Sequence, residues 1–174
     1  MALDEQTLMD ILDRLRNRYF GKYRGTVTDV NDPNNLGRIK ANVPAVLGDT
    51  PTGWCMPCVP YAGSNVGIAF LPETGSGVWI EFEGGDVSYP IWTGCYWRDG
   101  EIPSEVAPNV KVIKTTAPHT LQMDDGQNSI SLTDPSQNSA ALNSSGITLT
   151  GLAVSTIVID DTEVNINDGA LEVM

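Results

Sequence analysis

The amino-acid sequence predicts a mainly β protein in three parts: an N-terminal amphipathic helix, a small closed barrel, and a needle-like tail of short strands. Three observations lead to this fold class. Apolar residues recur at helical spacing near the N-terminus, short extended segments alternate with Gly, Pro, Asn and Asp as far as Trp97, and paired aliphatic residues replace the aromatics after Pro108. We place the helix at residues 1–21, the barrel at 22–100, a linker at 101–108 and the tail at 109–174.

The helix prediction depends on one apolar stripe between Asp4 and Arg18, and Gly21 ends the pattern. The stripe consists of Leu8, Ile11, Leu12, Leu15 and Tyr19. The same region carries half of the basic residues of the chain, namely Arg14, Arg16, Arg18, Lys22 and Arg24. We interpret these cations as a docking surface for an acidic partner, with a purely solubilising helix as the alternative.

Short extended segments bounded by turn residues predict the barrel. The predicted strands are Tyr23–Asp29, Arg38–Val43, Gly53–Val59, Gly67–Phe70, Val78–Glu83 and Ile91–Tyr96, with turns at residues 32–35 and 84–86. Large side chains are expected to fill the interior, and a platform that stacks nucleic-acid bases is the alternative. These side chains are Trp54, Phe70, Trp79, Phe82, Trp92 and Tyr96.

The tail repeats a short unit in which one small or polar residue, such as Gln122 or Thr148, separates two apolar residues. Asp, Asn, Gly and Ser fill the turns between units. The seven units pair Leu121 with Met123, Ile130 with Leu132, Ala140 with Leu142, Ile147 with Leu149, Ile157 with Ile159, Val164 with Ile166, and Leu171 with Val173. We predict that these side chains, apart from Ala140, form the core of the needle.

A single chain cannot shield two apolar residues on each strand, and its open strand edges would pair with other chains. Three copies wound about one axis turn each pair into a shared interior layer. We therefore predict an intertwined homotrimeric β-helix over residues 109–174. A single-chain β-helix is the alternative, although its coils take ~20 or more residues each, so that the tail would form about three.

The formal charge of −12, from 22 acidic and 10 basic residues, disfavours nucleic acid and anionic lipid as partners. No segment reaches the ~18 consecutive apolar residues of a membrane span. Asp4, Glu5 and Asp10 occupy the region where a secretory signal carries positive charge and an apolar run. We expect the protein to be assembled in the cytoplasm.

Neither a metal nor a cofactor is predicted. Cys55 and Cys58 have the spacing of a metal knuckle or a redox motif, but a zinc site needs four ligands and only Cys95 and His119 remain. A redox role needs a helix start that lowers the pKa of a thiol, and this segment has the pattern of a strand. The cysteines are expected to be reduced thiols packed among apolar neighbours.

No catalytic residue is predicted either. Glu81, Glu83 and Asp86 include two carboxylates on one strand face, as glycoside hydrolysis requires, but the alternation with Ile80 and Phe82 places them on the solvent side. The single histidine has no Gly-x-Ser-x-Gly elbow to act with, and no Gly-x-x-x-x-Gly-Lys loop is present for nucleotide hydrolysis.

Several stretches occur in a characteristic order: YRGTVTDV at 23–30, NLGRIKANVP at 35–44, the hairpin sequences at 70–86 and 89–97, then HTLQMDD at 119–125 and SGITL at 145–149. In this order they resemble phage baseplate assembly protein V and the related VgrG-like spike proteins of contractile injection systems. In that family the first four stretches belong to an OB-fold, and the last two to the start of a triple-stranded β-helix.

The resemblance implies a homotrimeric central spike that transmits thrust, pierces a target envelope with transient membrane contact, and belongs to a phage tail or injection particle that is extracellular on release. It implies two partners, a baseplate hub protein and a PAAR-like tip protein at the C-terminal end. Some relatives carry a lysozyme domain between barrel and needle, for which this chain has no room. Others end in a His-containing metal site, whereas His119 lies near the start of the needle.

Two other functions stay open. An OB-fold can bind oligonucleotides or sugars through its strand face and loops. A wall-degrading enzyme is the third hypothesis, and it requires peptidoglycan hydrolysis.

Overall fold

A computed structural model describes residues 4–152, 155–167 and 170–173, with the side chains of Arg14, Leu15, Glu172 and Val173 outside that description. The chain divides into two compact units, Met1–Gly100 and Glu101–Met174. The predicted class is confirmed: a short N-terminal helix, an OB-like curled sheet, and a long series of antiparallel strands. Among the described residues, no helix has both the length and the apolar character to cross a membrane.

The N-terminal helix α1 spans Glu5–Arg16 and ends two residues before Arg18, the limit given above for the apolar stripe. Asp4 caps it, because the backbone N–H of Thr7 donates to the Asp4 carboxylate at 2.8 Å and the Thr7 hydroxyl donates at 2.9 Å. After the helix, the N–H of Tyr19 donates to the carbonyl of Gly85 at 2.8 Å. That bond attaches the end of the helical segment to the barrel.

Seven short strands form the rest of the first unit. They are β1 (Tyr23–Asp29), β2 (Lys40–Asn42), β3 (Met56–Pro57), β4 (Ala62–Gly63), β5 (Val66–Gly67), β6 (Gly77–Phe82) and β7 (Pro90–Tyr96), with helix α2 (Pro44–Leu47) after β2 and a 3₁₀ turn (Glu83–Gly85) after β6. The main sheet has the order β2-β1-β6-β7-β3, in which only β3 runs parallel to its neighbour. A bridge between Ile39 and Cys55 joins the segments that precede the two edge strands.

The interior of this curled sheet holds mainly aliphatic side chains. Ile80 on β6 is completely buried. Along β1 and β6, buried residues alternate with more exposed ones, as expected for strands with one face toward a core. The buried apolar residues are Val27, Ile39, Ala41, Val43, Cys55, Val78, Ile80, Phe82 and Trp92. The indole N–H of Trp92 donates to the carbonyl of Gly37 at 3.1 Å, which satisfies its one polar group.

The predicted aromatic core is therefore only partly correct. Of the six aromatic residues, Phe82 and Trp92 are buried, Trp54, Trp79 and Tyr96 are half-buried, and Phe70 is 63% exposed. The interior of five short strands is narrow, and β-branched residues already fill it.

Of the six predicted barrel strands, only Tyr23–Asp29 has the predicted bounds. Arg38–Val43 shortens to Lys40–Asn42, and Ile91–Tyr96 begins one residue earlier, at Pro90. The strand predicted at Gly67–Phe70 is not formed: the β4–β5 hairpin ends at Gly67, and its strands pair only with each other. The segment Gly53–Val59 contracts to Met56–Pro57, since a proline has no N–H to donate to a ladder. Glu83 lies in the 3₁₀ turn and not on β6, so it does not share a strand face with Glu81.

The loop before β2 is held by an ion pair between the buried Asp32 and the half-buried Arg38. The Arg38 guanidinium donates to both carboxylate oxygens of Asp32, at 2.6 and 3.0 Å. The backbone N–H groups of Asn34 and Leu36 also donate to that carboxylate, at 3.0 and 2.8 Å. The Arg38 contact, with these N–H groups, holds the pKa of Asp32 well below its usual range.

The second unit is one antiparallel sheet in which every strand pairs with its neighbours in sequence. Its strands are β8 (Val110–Lys114), β9 (Thr120–Asp124), β10 (Ser129–Thr133), β11 (Ser139–Asn143), β12 (Gly146–Thr150), β13 (Thr156–Ile159), β14 (Val164–Ile166) and β15 (Leu171–Val173). All seven predicted units are strands, and β8 is an eighth that the pattern missed because Lys111 replaces an apolar residue. The interleaving of three chains stays a prediction.

We expect Ile80→Ala to destabilise the barrel by about 2–5 kcal/mol, the range for a large aliphatic residue truncated in a packed core. Urea unfolding followed by tryptophan fluorescence measures this change, because all four tryptophans, at 54, 79, 92 and 97, lie in the first unit. Leu36→Ala is the control, since Leu36 is 51% exposed and its truncation is expected to cost about 0.5 kcal/mol or less. Equal losses for the two variants would contradict this core.

The Asp32–Arg38 pair gives a pH dependence of definite sign. Because the pKa of Asp32 is lower in the folded than in the unfolded state, its stabilising contribution is complete above about pH 4 and disappears as the pH falls further. The melting temperature of the wild type should exceed that of Asp32→Asn at pH 6, and the gap should narrow below pH 4. A gap that stays constant down to pH 2 would show that this carboxylate does not titrate with folding.

Candidate assembly surface

Two continuous ladders of residues, assigned by the backbone register, run across all eight strands of the second unit. Directly opposite residues on antiparallel strands point to the same side, so the strand register assigns each ladder to a face. The first ladder is Ile113, Leu121, Leu132, Ala140, Leu149, Ile157, Ile166 and Leu171. The second is Lys111, Met123, Ile130, Leu142, Ile147, Ile159, Val164 and Val173.

Members of the two ladders are two residues apart on each strand, so both ladders lie on one side of the sheet, which we call the apolar face. Every residue predicted to form the needle core has a position on this face. The residue between each pair points to the other side, which carries Gln122, Ser131, Thr148 and Asn165.

Within the described residues, no part of the second unit covers the apolar face. The unit is a single layer, because β8 to β15 are its only helices or strands within the described ranges. Leu132 is 56% exposed and Leu149 is 41% exposed, whereas Ser131 and Thr148 on the other side are half-buried. A stable domain normally packs two layers about a core, so this face needs a second surface against it.

Polar turns fix the register that aligns the ladders. Asp124, Asp134, Asn143 and Asp160 each accept the backbone N–H of the residue two positions ahead, at 2.8–2.9 Å. The side-chain amide of Asn138 lowers the pKa of Asp134, and backbone N–H donors lower that of Asp160. Because a one-residue slip would move a whole strand to the wrong face, these turns preserve the apolar face.

The second ladder begins with a charge that is neutralised locally. The ammonium group of Lys111 forms an ion pair with Asp125 at 2.6 Å and donates to the carbonyl of Pro108 at 3.2 Å. The next strand contributes Met123 at the same ladder position, and from there on the ladder is apolar. Lys111 therefore marks one boundary of the apolar face.

The structure does not bring the five predicted docking cations together as one free surface. Arg18 pairs with Asp86 at 3.2 Å, and Lys22 pairs with Glu81 at 2.7 Å. The Arg24 guanidinium lies over the rings of Trp79 and Tyr96, 5.6 and 5.7 Å from their centroids. These three residues thus attach to the barrel surface.

The remaining two cations belong to α1. Arg16 is exposed at its C-terminal end, and the side chain of Arg14 lies outside the described part of the chain. The apolar stripe of the helix is also exposed at Leu8, Ile11 and Leu12. An amphipathic helix with its apolar side in water presents a surface that another protein can bind.

The groups considered for chemistry are dispersed. Across the described ranges, no three His, Cys, Asp or Glu side chains lie close enough together to hold a metal ion. Cys55 is buried in the barrel beside the hydroxyl of Thr52 at 3.1 Å, and burial raises the pKa of its thiol to about 11. Cys58 and Cys95 are exposed, contrary to the expectation that all three cysteines are packed among apolar neighbours.

One surface aromatic has a cationic environment that the sequence did not reveal. The ammonium group of Lys40 and the guanidinium of Arg38 lie 4.7 and 5.7 Å from the ring centroid of the half-buried Trp54. Arg38 is also paired with Asp32, whereas no ion pair of Lys40 occurs within the described part of the chain. Alternation along a strand could have placed Lys40 outward, but only the fold brings Trp54 beside it.

Comparison with known families agrees with both halves of the chain. Residues 23–97 match the Type VI secretion system/phage-baseplate injector OB domain. Residues 110–172 match the phage baseplate V C-terminal trimerisation domain, the segment that carries the apolar face. No curated protein matches the chain significantly. The chain therefore belongs to the phage baseplate protein V family of injector spikes, as an OB domain followed by a C-terminal trimerisation domain.

Proposed function

We propose that this protein is the homotrimeric central spike of a contractile tail or injection system, and that it transmits thrust and pierces the target envelope without making or breaking bonds. The uncovered apolar face carries the proposal. In a trimer, three such faces turn toward one axis and bury the two ladders together. Each large apolar side chain that becomes fully buried contributes roughly 1.5–3 kcal/mol, so the gain over the ladder positions other than Lys111 and Ala140 is large.

The composition of the needle supports a rod that does not bind sideways to its neighbours. From residue 101 onward the chain has only two basic residues, Lys111 and Lys114, against ten acidic ones. Negative charge on the outer side and turns opposes lateral association of a β-rich surface. The rigid trimer would be assembled in the cytoplasm, and would meet the target membrane only on firing.

For the two partners we propose opposite ends of the chain. The apolar stripe of α1 and the cations Arg14 and Arg16 would bind the baseplate hub, whereas Arg18, Lys22 and Arg24 hold the adjoining segment to the barrel. A PAAR-like tip protein would bind the C-terminal end of the needle. A helix that only improves solubility is the alternative for α1.

A second candidate function has one observation in its favour. Trp54 with Lys40 is a stacking aromatic beside a cation, the combination by which OB domains bind single strands or sugars. The formal charge of −12 opposes this function. Retention on a polynucleotide column at low salt that is lost in Trp54→Ala would favour it over a purely mechanical role. Peptidoglycan hydrolysis by the purified protein would favour the third candidate, a wall-degrading enzyme.

We expect the full-length protein to have three times the chain mass of 18.7 kDa in solution, as measured by light scattering during size-exclusion chromatography. The apolar faces of three chains must be removed from water together, so the mass should not depend on concentration in the micromolar range. A well-behaved monomer would rule out the proposed spike.

A pair of variants on one strand tests the apolar face itself. Leu149→Asp places a carboxylate in the proposed interior, which costs on the order of 3–5 kcal/mol per chain for an unpaired buried charge, so we expect dissociation. Thr148→Asp adds the same charge on the other side of β12 and should leave a trimer. Light scattering compares the two masses. If Thr148→Asp dissociates and Leu149→Asp does not, the apolar face has been assigned to the wrong side.

A further inference from the structure

Residues 59–72 form a projecting segment, which we call the tongue, between β3 and the turn that leads into β6. It is an ordered hairpin: β4 pairs with β5, the N–H of Ile68 donates to the carbonyl of Tyr61 at 2.9 Å, and Asn65 takes the positive φ of 57° that the turn requires. Its strands pair with each other and with no strand of the main sheet.

Large apolar side chains are exposed along the whole tongue. Every residue from 60 to 71 is exposed, including large side chains such as Val66 at 51% and Phe70 at 63%. The other large apolar residues are Tyr61, Ile68 and Leu71. A two-stranded hairpin is marginally stable in water by itself, so a hairpin with this composition needs a surface against it.

The tongue is also uncharged. No Asp, Glu, Lys or Arg occurs between Asp49 and Glu73. Copies of a chain with a formal charge of −12 repel one another over most of their surfaces. A contact between copies is therefore most favourable at an uncharged surface, where no charged group loses its water and no like charges meet. We therefore take a second copy of this chain as the partner that covers the tongue.

The trimerisation domain brings such copies close together. Twelve residues, 98–109, separate the two matched segments, and even fully extended they would span only about 40 Å. The Glu105 carboxylate is bound to the ammonium group of Lys114, which shortens the free part of this connection. Three first units held this near one axis have effective concentrations of about a millimolar, at which a weak apolar contact forms.

We propose that, in the trimer, the tongue of each copy packs against the first unit of a neighbouring copy. The inference rests on the proposed homotrimer and adds a second contact region to it, outside the C-terminal sheet. The first units then also hold the trimer together, and the tongue serves as an assembly element.

Thiol labelling of the full-length chain tests the proposal. In a background with Cys58→Ser and Cys95→Ser, a cysteine is introduced at Ile68, and in a control protein at Leu36, which is 51% exposed and outside the tongue. The buried Cys55, whose thiol pKa is raised, stays unreactive toward maleimide. We expect the trimer to label Ile68→Cys about tenfold or more slowly than Leu36→Cys, since a covered site reacts only after local opening.

Leu149→Asp is then added to both cysteine proteins, and the labelling is repeated on the dissociated chains. This comparison shows whether residue 68 is covered by a neighbouring copy or by its own chain. The rate at Ile68→Cys should rise to that at Leu36→Cys when the copies dissociate, and Phe70→Cys should repeat the result. Light scattering on each sample reports its mass. A trimer in which Ile68→Cys reacts as fast as Leu36→Cys overturns the tongue contact alone, and so does slow labelling that persists in the dissociated chain. A wild-type background that is monomeric overturns the proposed spike and the tongue contact together.

Discussion

The structure of the second unit depends on one constraint: a single-layer sheet with two apolar ladders on one side cannot remove them from water by itself. Each strand contributes two ladder positions, and within the described ranges the unit has no second layer of helices or strands to cover them. The turn carboxylates and amides fix the register, so the unshielded side chains collect on one face instead of being divided between two. Because the strand register places the apolar residues on one exposed face, it favours association of copies of the chain. The family match to a trimerisation domain agrees with such association.

The first unit, in contrast, buries its apolar residues within one chain. Its curled sheet closes on nine buried apolar residues, with Trp92 bonded through its indole to Gly37 and the loop before β2 locked by Asp32 and Arg38. This unit has a core of its own, so it does not need a partner to bury one. The surfaces it leaves open, α1 and the tongue, are elements that lie outside that core.

Sequence reasoning succeeded where one periodicity decides the outcome. The spacing of two in pairs such as Ile147 and Leu149 predicted the strands and their common face, and the helical spacing of Leu8, Ile11 and Leu12 predicted α1. It failed where tertiary context decides. Phe70 was assigned to the core from its size, but the narrow interior was already filled by residues such as Ile80.

Charge misled the prediction in two further places. The strand β8 was not predicted, because Lys111 puts a charged residue at a position where the other strands carry an apolar one. In the fold, Asp125 neutralises this charge. Arg18, Lys22 and Arg24 were grouped by their proximity in sequence, but each one finds a different partner on the barrel. Partners that are distant in sequence, such as Asp86 or Trp79, leave no local signal.

The order of the strands in the C-terminal sheet has an evolutionary consequence. Each strand pairs only with its neighbours in sequence. Inserting or deleting one complete hairpin would therefore change the width of the C-terminal sheet, measured across its strands, by about 10 Å and leave every other pairing unchanged. A single added strand would instead reverse the direction in which the chain continues. The width of the C-terminal sheet can therefore change in steps of two strands, with no change in the OB domain that precedes it.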